Sequence, residues 1–367
     1  MSARGRFTQG WERGFTAGAG GVLAAMAGSY RGLLGAREWL YARGMLHARA
    51  LDCPVVSIGN LTVGGTGKTP AVELAVRTLM DLGHRPGVLS RGYGRRGGGV
   101  QIVADAASIR LDAEEAGDEP FLLARRLPGV PVVVGPNRYE AGRMARTRFG
   151  VTAVVLDDGF QHRTLRKDLE VVMARAGQPW GNGRLLPGGP LREPLAGLAR
   201  AHLVVATGCR QLDEAAEVTT TVARVAPGVP VLTAVHVPTE CFESSAMRFV
   251  PLSALGGAKL IAFAGIGSPA GFRRTLAEAA VSVADFQEFA DHHWYTREEL
   301  ARLERRAAEV GADGLVTTEK DWVRLRRLPP LKRPLYVLSI RLVLTSGEPH
   351  WRAAFERIAR LQCEPQP

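Results

Sequence analysis

PVVSIGNLTVGGTGKTP, residues 54–70, carries the strongest structural signal in this chain. Residues 54–59 are mostly apolar and β-branched, which is typical of a short buried strand. A glycine-rich turn follows, and residues 69–82 have the apolar spacing that predicts a helix. A strand, a turn that ends in Gly-Lys-Thr and a helix are the parts of a phosphate-binding loop, or P-loop. The stretch therefore predicts a nucleotide site in an α/β domain.

The turn has the chemistry that phosphate binding requires. Its glycines allow backbone N–H groups to converge on phosphate oxygens, and the helix N-terminus adds a partial positive charge. Lys68 supplies a charge for the β- and γ-phosphates, and the Thr69 hydroxyl is a ligand for Mg²⁺. Thr62 stands where the general pattern has its first glycine. The predicted nucleotide-binding residues are Thr62, Val63, Gly64, Gly65, Thr66, Gly67, Lys68 and Thr69.

An acidic pair follows the apolar run VTAVVL, residues 151–156, which is the clearest buried strand in the sequence. Asp157 and Asp158 end this strand. In P-loop proteins a carboxylate in this position holds Mg²⁺ directly or through water. We therefore predict that at least one of the two aspartates takes part in metal binding, and the sequence leaves open which one.

The order of the predicted elements indicates a parallel sheet covered by helices. Strand-like and helix-like segments alternate over residues 51–210, and a second α/β series begins near residue 229. The predicted fold class is α/β, with a P-loop NTPase-type parallel sheet, a second, smaller α/β domain and an N-terminal apolar helix. The predicted domains are a membrane-associating helical segment at 1–50, a P-loop kinase domain at 51–225 and a smaller α/β domain with a C-terminal helix at 226–367.

The apolar stretch at residues 15–30 is shorter than the roughly 20 residues that a membrane-spanning helix needs. It is flanked by Arg13, Arg31, Arg37 and Arg43. Two interpretations remain open: an interfacial helix on an anionic leaflet, or a helix packed on the protein's own core. The net charge of +11 suits an anionic partner. No RNA- or DNA-binding motif accompanies this charge, so nucleic acid is not a predicted partner. Four scattered cysteines without a CxxC pair are typical of a reducing, cytosol-facing location.

Two other motifs do not support different nucleotide chemistries. TEKD at 318–321 has Lys next to Asp, whereas a guanine-reading loop usually has Lys two residues before Asp. GIG at 265–267 follows a predicted strand, but the next glycine comes one place too late for a dinucleotide-binding pattern, so we interpret it as a tight turn. The run TTEKD at 317–321 has no predicted role beyond carrying charges at a strand end.

An ordered set of motifs resembles the tetraacyldisaccharide 4'-kinase family. The P-loop run SIGNLTVGGTGKTP (57–70), including the Thr in place of the first glycine, is similar to that of the family. The other similar motifs are REWLYARG (37–44), SRGYGR (90–95), GDEP (117–120), LDDGFQHRTLRKDL (156–169), LLPGGPLREP (185–194), FAGIG (263–267), ADHHWYT (290–296) and TTEKD (317–321). Any single one of these motifs could arise by chance, whereas the ordered set is specific to the family.

The resemblance implies a reaction and a location. The γ-phosphate of ATP is transferred to the 4'-hydroxyl of a tetraacyldisaccharide 1-phosphate, which forms the bisphosphorylated lipid A precursor. The implied cofactors are ATP and Mg²⁺. The implied partners are the acylated disaccharide 1-phosphate lipid and the inner-membrane surface, with no obligate protein partner. The implied location is the cytoplasmic face of the bacterial inner membrane, peripheral or monotopic.

The resemblance also implies roles for individual residues. Asp118 is expected to accept the proton of the 4'-hydroxyl, with His292 as its partner and His293 as the alternative. The expected catalytic residues are Asp118, His292 and Lys68, and the expected metal ligands are Thr69, Asp157, Asp158 and Glu193. The residues expected to line the substrate are Arg91, Gln161, His162 and Arg192. Because Asp118 and His292 fall in different predicted domains, we expect domain closure to assemble the site.

Three functions of other classes remain as alternatives. They are a membrane-associated P-loop NTPase that acts on a protein partner, a membrane-surface binding protein with an inactive nucleotide site, and a soluble P-loop kinase of a small metabolite. The presence of Asp118 together with Asp157 and Asp158 disfavours an inactive site. Transfer of label from ATP to the lipid distinguishes the lipid kinase from all three.

Overall fold

The structure is a computed structural model, and it describes residues 17–361. Within these residues the chain divides into two units. The first unit runs to Val235 and resumes at Leu344, and the second unit is His236–Val343. Both units combine strands with helices, in agreement with the predicted α/β class.

The first unit is built on a mainly parallel sheet. In chain order it contains α1 (Ala17–Ala42), β1 (Val55–Gly59), α2 (Lys68–Asp81), β2 (Pro86–Ser90), β3 (Gln101–Ala104), α3 (Ala113–Ala116), α4 (Asp118–Arg126), β4 (Val132–Val134), α5 (Arg138–Phe149), β5 (Ala153–Asp157), β6 (Leu169–Arg175), β7 (Leu203–Thr207), α6 (Ala216–Val225) and the first part of β8 (Val231–Glu243). The strand order is β8-β7-β6-β1-β5-β2-β4-β3. Neighbouring strands are parallel except for β3, which pairs antiparallel with β4. Every residue of β1 and of β5 is buried, so both faces of the sheet are covered, as is usual for parallel sheets.

Strands β1 and β5 bring the two predicted phosphate-site elements to one edge of this sheet. The strands are parallel neighbours, with Ile58 opposite Asp157. The P-loop leaves the carboxyl end of β1, and the aspartate pair lies at the carboxyl end of β5. Ligands of open α/β sheets bind at this edge. The strand–turn–helix prediction is confirmed, because α2 begins at Lys68 directly after the turn.

Helix α1 packs on the first unit along only part of its surface. Leu34 is buried in a core cluster, and the Tyr30 hydroxyl donates a hydrogen bond to the carbonyl oxygen of Arg192 (2.7 Å). Four large apolar side chains of the same helix are exposed, namely Val22, Met26, Leu33 and Trp39. No helix within residues 17–361 combines the length and the apolar character needed to cross a bilayer. Residues 1–16 of the predicted membrane-associating segment lie outside the described residues.

The second unit contains the other strands of the same sheet. It contains the rest of β8, then β9 (Arg248–Val250), β10 (Lys259–Ala264), α7 (Pro269–Glu278), β11 (Ser282–Glu288), α8 (Arg297–Glu309), β12 (Gly314–Thr318), α9 (Glu319–Leu325) and β13 (Leu335–Ser346). The strand order is β11-β10-β12-β13-β8, and β9 pairs antiparallel with β8. Strands β10 to β13 pair in parallel, and α7 packs its apolar face against β10 and β11 in one core cluster.

The limits of the units differ from the predicted domain boundaries. The prediction divided the chain between residues 225 and 226 and gave the C-terminal helix to the smaller domain. In the structure the first unit extends to Val235 and also includes α10 (Glu348–Ala359). Trp351 on α10 is buried, and its indole N–H donates to Thr78 Oγ1 on α2 (3.1 Å). The amphipathic pattern of α10 predicts a helix but does not identify the surface that covers its apolar face.

Candidate active site

The P-loop is anchored where it leaves β1. The buried Asn60 side chain donates from Nδ2 to the carbonyl oxygen of Thr62 (2.5 Å). The Val63 N–H donates to the carbonyl oxygen of Pro190 (2.9 Å), and Thr62 forms a bridge with Leu191. Thr62 has no positive φ angle, so this position does not require glycine. The loop is therefore attached to the LLPGGP segment, and a threonine is accommodated at its start.

The tip of the P-loop is open, and its base is a left-handed turn. Gly64 and Gly65 are exposed, whereas Thr66 is buried. Gly67 has a φ angle of 82°, which a residue with a side chain adopts only with strain. This conformation allows α2 to begin directly at Lys68. The unpaired N–H groups of the first helical turn then lie at the sheet edge, where they stabilise an anion.

Lys68 is buried between two oxygen-bearing side chains. Its Nζ lies 3.3 Å from Asn60 Oδ1 and 3.7 Å from Asp158 Oδ1. Arg192 Nη1 contacts the same aspartate, at 2.9 Å from Oδ1 and 2.7 Å from Oδ2. Burial acts to raise the pKa of Asp158, but the charges of Lys68 and Arg192 bring that pKa below its ordinary value. Asp158 is therefore an ionised carboxylate that holds two cations beside the P-loop.

Asp157 has the opposite electrostatic character. Burial, followed by the charges of Glu119 and Asp158, raises the pKa of Asp157 to about 7, against the opposing effects of Lys68 and of a hydrogen bond from Ser90. Ser90 Oγ donates to Oδ2 at 3.0 Å. The other oxygen, Oδ1, is buried and has no hydrogen-bond partner among the described residues. An adjacent cation would stabilise the ionised form of this carboxyl group.

A second buried oxygen at the same edge also lacks a partner. The Thr69 hydroxyl forms no hydrogen bond within the described part of the chain. Mg²⁺ characteristically takes one or two protein oxygens, with phosphate oxygens and waters completing its shell. Thr69 Oγ1 and Asp157 Oδ1 therefore fit a Mg²⁺–nucleotide site. Within residues 17–361 no three His, Cys, Asp or Glu side chains form a group that would hold a metal ion by themselves.

Glu193, also predicted as a metal ligand, is held by two donors. Gln161 Nε2 donates to Oε1 (2.8 Å), and Arg200 Nη2 donates to Oε2 (2.6 Å). Gln161 Nε2 also contacts the Asn60 carbonyl oxygen (2.9 Å). These bonds bring Glu193 and Gln161 to the side of the P-loop. Metal ligation by Glu193 stays a prediction.

Asp118 begins α4 in a closely packed turn. It is buried, and its Oδ1 accepts a hydrogen bond from the Glu119 N–H (2.9 Å). Gly117, which precedes it, has a φ angle of 93°, and a Cβ there would lie 3.2 Å from Gly92 Cα and from the Tyr93 carbonyl oxygen. The SRGYGR and GDEP motifs are therefore packed against each other. The close approach explains why glycine stands before Asp118.

His162 lies in a region of positive potential. Burial, followed by the charges of Arg138, Lys167 and Arg91, lowers the pKa of His162 to about 4. Its Nε2 lies 3.0 Å from Thr164 Oγ1. The imidazole is therefore neutral near pH 7. The predicted substrate-lining residues Arg91 and His162 thus lie close enough to interact electrostatically, as an anionic substrate site requires.

In the second unit the two candidate histidines contact neighbouring side chains through different ring nitrogens. His292 has a φ angle of 60°, its N–H donates to the Gly265 carbonyl oxygen (3.1 Å), and its Nδ1 lies 3.4 Å from Arg324 Nη2. Arginine has no acceptor, so Nδ1 is the acceptor of this contact. His293 instead contacts Glu299 Oε2 through Nε2 (2.9 Å). Which histidine assists Asp118 stays a prediction, as does domain closure.

The TTEKD run, for which the sequence predicted no role, supports the loop that carries His292. Asp321 is fully buried, and its Oδ1 accepts hydrogen bonds from the Gly265 N–H (2.9 Å) and the Tyr295 hydroxyl (2.8 Å). Arg324 Nη1 donates to the Gly265 carbonyl oxygen (2.9 Å) and lies 3.4 Å from Asp321 Oδ1. The GIG turn is thus attached through both of its main-chain groups at Gly265.

The structure adds residues that the sequence did not single out, namely Asn60, Glu119, Arg138, Lys167 and Arg200. Asn60 lies in the P-loop motif 57–70, and Lys167 lies in the motif 156–169 that contains the aspartate pair. Their positions in these motifs could have identified them as site residues. Lys167 Nζ donates to the carbonyl oxygens of Gly159 (3.3 Å) and Phe160 (3.1 Å), which stabilises the turn after the aspartates. Arg138 had no such signal, because only the tertiary structure reveals that it is buried.

The parallel α/β sheet and the P-loop at its edge define a P-loop nucleotide-binding protein. A family model described as tetraacyldisaccharide-1-P 4'-kinase matches residues 20–360. The chain belongs to this family, and the resemblance predicted from its motifs is confirmed.

Individual relatives agree with this assignment. The tetraacyldisaccharide 4'-kinase of Syntrophus aciditrophicus is 44% identical over 315 residues, which are 83% of this chain and 84% of that protein. The enzyme of the same name from Anaeromyxobacter dehalogenans is 46% identical, with 83% of each chain covered. A crystal structure of the "apo" form of LpxK from Aquifex aeolicus in complex with ATP has a TM-score of 0.73 and 32% identity, and the match covers 93% of this chain and 99% of that one.

Proposed function

We propose that this chain transfers the γ-phosphate of ATP to the 4'-hydroxyl of a tetraacyldisaccharide 1-phosphate. One observation carries the proposal beyond family membership. Two buried oxygens, Thr69 Oγ1 and Asp157 Oδ1, have no hydrogen-bond partner within residues 17–361, and they accompany the buried Lys68 at the edge of a P-loop sheet. The crystallised LpxK of Aquifex aeolicus was in complex with ATP, which supports ATP as the donor.

In the proposed reaction the P-loop N–H groups and Lys68 bind the β- and γ-phosphates. Thr69 and Asp157 would hold Mg²⁺, which neutralises charge on the transferring phosphoryl group when bound. Asp158 keeps Lys68 and Arg192 in place by its carboxylate contacts.

Asp118 accepts the proton of the 4'-hydroxyl while the 4'-oxygen forms a bond to the γ-phosphorus. The bond to the β,γ-bridging oxygen breaks, and ADP leaves. His292 or His293 is the proposed partner that orients Asp118.

We also propose that the enzyme works at the cytoplasmic face of the inner membrane. The exposed apolar residues of α1 and the net charge of +11 support binding to an anionic lipid surface.

The test is transfer of label from γ-labelled ATP to the detergent-dispersed lipid in the presence of Mg²⁺. We expect Lys68→Met and Asp118→Asn each to lower kcat about 100-fold or more, because each removes a group that acts on the transferring centre. Lys332→Met and Asp81→Asn are matched controls at exposed positions, and we expect them to retain activity. Hydrolysis of ATP without labelled lipid would favour the NTPase alternative. Undiminished transfer by Asp118→Asn would remove this residue as the base.

A further inference from the structure

A buried hydroxyl group at the carboxyl end of β7 contacts the P-loop. Thr207 is 2% exposed, and its Oγ1 donates to the carbonyl oxygen of Thr66 at 3.2 Å. The carbonyl oxygen of Ala174 lies farther from the same hydroxyl, at 3.4 Å. A hydroxyl group has one proton to donate, so the shorter contact identifies Thr66 as the main acceptor. The two threonines are 141 positions apart, and only the folded chain brings them together.

The main chain around Thr207 is fixed by the sheet. All five residues of β7 are buried, and the strand pairs with β6 on one side and with β8 on the other. The Ala176 N–H donates to the Thr207 carbonyl oxygen (2.9 Å), and the Gly208 N–H donates to that of Ala234 (2.8 Å). The hydroxyl is therefore carried by a rigid element, which is what a group that positions a neighbouring loop requires.

The peptide between Thr66 and Gly67 is the part of the P-loop that this contact orients. In a trans peptide the C=O and N–H groups point in opposite directions, so a Thr66 oxygen held by Thr207 turns the Gly67 N–H the other way. Glycine is permissive in φ, so a peptide beside it rotates at little cost unless a hydrogen bond holds it. A rotated peptide would present a carbonyl oxygen, instead of an N–H, to an anion at the start of α2. The contact with Thr207 disfavours that rotation.

A different side chain supports the first half of the P-loop. Asn60 bonds a main-chain carbonyl group at the start of the loop, whereas residues 64–65 at its tip are exposed. Thr66 is buried, but its own hydroxyl has no hydrogen-bond partner within residues 17–361. The Thr66 side chain therefore does not fix the second half of the loop, and Thr207 supports that half through the main chain.

We propose that Thr207 is a positioning residue for nucleotide binding. Its hydroxyl holds the Thr66–Gly67 peptide, before the nucleotide arrives, in the orientation that directs N–H groups to the phosphates. Donors that are already in place bind more tightly, because binding does not have to order them. This inference rests on the proposed function in one respect, namely that the loop binds ATP and ADP. It adds to that site a residue far outside the P-loop motif.

The experiment compares two substitutions of the same side chain. Thr207→Val removes the hydroxyl and keeps a β-branched side chain of similar size, which suits a strand. Thr207→Ser keeps the hydroxyl and removes the methyl group. Thr275→Val is the matched control, because the buried Thr275 of α7 donates its hydroxyl to the Gly271 carbonyl oxygen (3.0 Å) in the second unit. The readouts are Kd for ADP by calorimetry, with and without Mg²⁺, KM for ATP and for the lipid, and the urea midpoint of unfolding.

We expect Thr207→Val to raise Kd for ADP and KM for ATP about 10-fold, which corresponds to the free energy of about one hydrogen bond. KM for the lipid should change by less than about twofold, because the contact acts on the nucleotide side alone. Thr207→Ser should bind ADP within about twofold of the wild type. Thr275→Val should lower the urea midpoint and leave Kd for ADP unchanged.

An unchanged Kd for ADP in Thr207→Val would overturn the proposal. Equal losses of affinity in Thr207→Val and Thr207→Ser would also overturn it, because they would mean that the side chain only packs. If the wild type binds ADP but labels no lipid, the proposed function fails, while a Kd that rises in Thr207→Val alone still supports the positioning role. Labelled lipid with a Kd that does not depend on the hydroxyl would remove the positioning role alone. A wild type that binds no ADP in either condition would overturn both.

Discussion

The buried ion pair of Asp321 and Arg324 should decide the stability of the second unit and the position of His292. Both side chains are 0% exposed. Asp321 accepts hydrogen bonds from the Gly265 N–H and the Tyr295 hydroxyl through Oδ1, and from Thr318 Oγ1 through Oδ2 (2.6 Å). Removal of one partner of a buried pair leaves an uncompensated charge, at a cost of about 3–5 kcal/mol.

We expect Asp321→Asn to lower the free energy of unfolding by about 3 kcal/mol, at the lower end of that range, because the amide oxygen still accepts hydrogen bonds. Asp321→Ala should cost about 5 kcal/mol, because all of these donors lose their acceptor as well. The double variant Asp321→Asn/Arg324→Met should be more stable than Asp321→Asn alone, since it also removes the unpaired charge. Asp285→Asn is the matched control, and we expect a cost of about 1 kcal/mol or less because its partner Arg306 is half exposed.

The assay is urea unfolding followed by intrinsic tryptophan fluorescence, to which Trp322, a buried residue of α9, contributes. Transfer activity is measured beside it in buffer without denaturant. Arg324 and the His292 N–H share the Gly265 carbonyl oxygen, so Asp321→Asn should also lower kcat while KM for ATP stays constant. A double variant as unstable as the sum of its two single variants would refute the buried-charge reasoning. Full activity in a destabilised Asp321→Asn would refute the link to His292.

Three further predictions concern the first unit. Gly117→Ala should cost about 1–3 kcal/mol and reduce transfer, because alanine is strained at a φ of 93°, whereas Gly98→Ala, with open space around its Cα, should be neutral in both assays. The pKa of His162 lies near 4 in the folded state, so the unfolded chain alone binds a proton between about pH 6.5 and 4. Stability should therefore fall as the pH falls through this range, and by less in His162→Gln; equal falls in the two urea titrations would contradict the assignment. Trp351→Ala should cost about 3–5 kcal/mol. Trp351→Phe keeps an aromatic ring but loses the hydrogen bond to Thr78 and part of the buried volume, so it should cost about 1–2 kcal/mol; two variants of equal stability would contradict the packing of α10 on α2.

Local patterns were sufficient for the elements that depend on neighbouring residues. The P-loop was predictable because a β-branched strand, a glycine turn and a helix start are adjacent in the chain. The parallel sheet followed from the alternation of strands and helices. The position of the acidic pair beside the P-loop was predictable because the carboxyl ends of parallel strands lie at one edge of a sheet. In the structure Ile58 lies opposite Asp157.

Other features depend on residues that are far apart in sequence. The different pKa shifts of Asp157 and Asp158 arise because one is buried near Glu119 and the other contacts Lys68 and Arg192. Two identical residues side by side carry no sequence signal for that difference.

Chain topology explains why the two units differ from the predicted domains and why TTEKD had no predicted role. The sequence predicted helix α10 but not its packing on α2, because an apolar helical face fits many surfaces. TTEKD is recognisable as a motif in the sequence. Asp321, however, acquires its role only when β10 and β12 pair and bring Gly265 within hydrogen-bond distance. Local sequence thus specified the phosphate-binding chemistry, whereas long-range packing specified the charge state, support and surroundings of the side chains, since desolvation and pairing exist only in the folded chain.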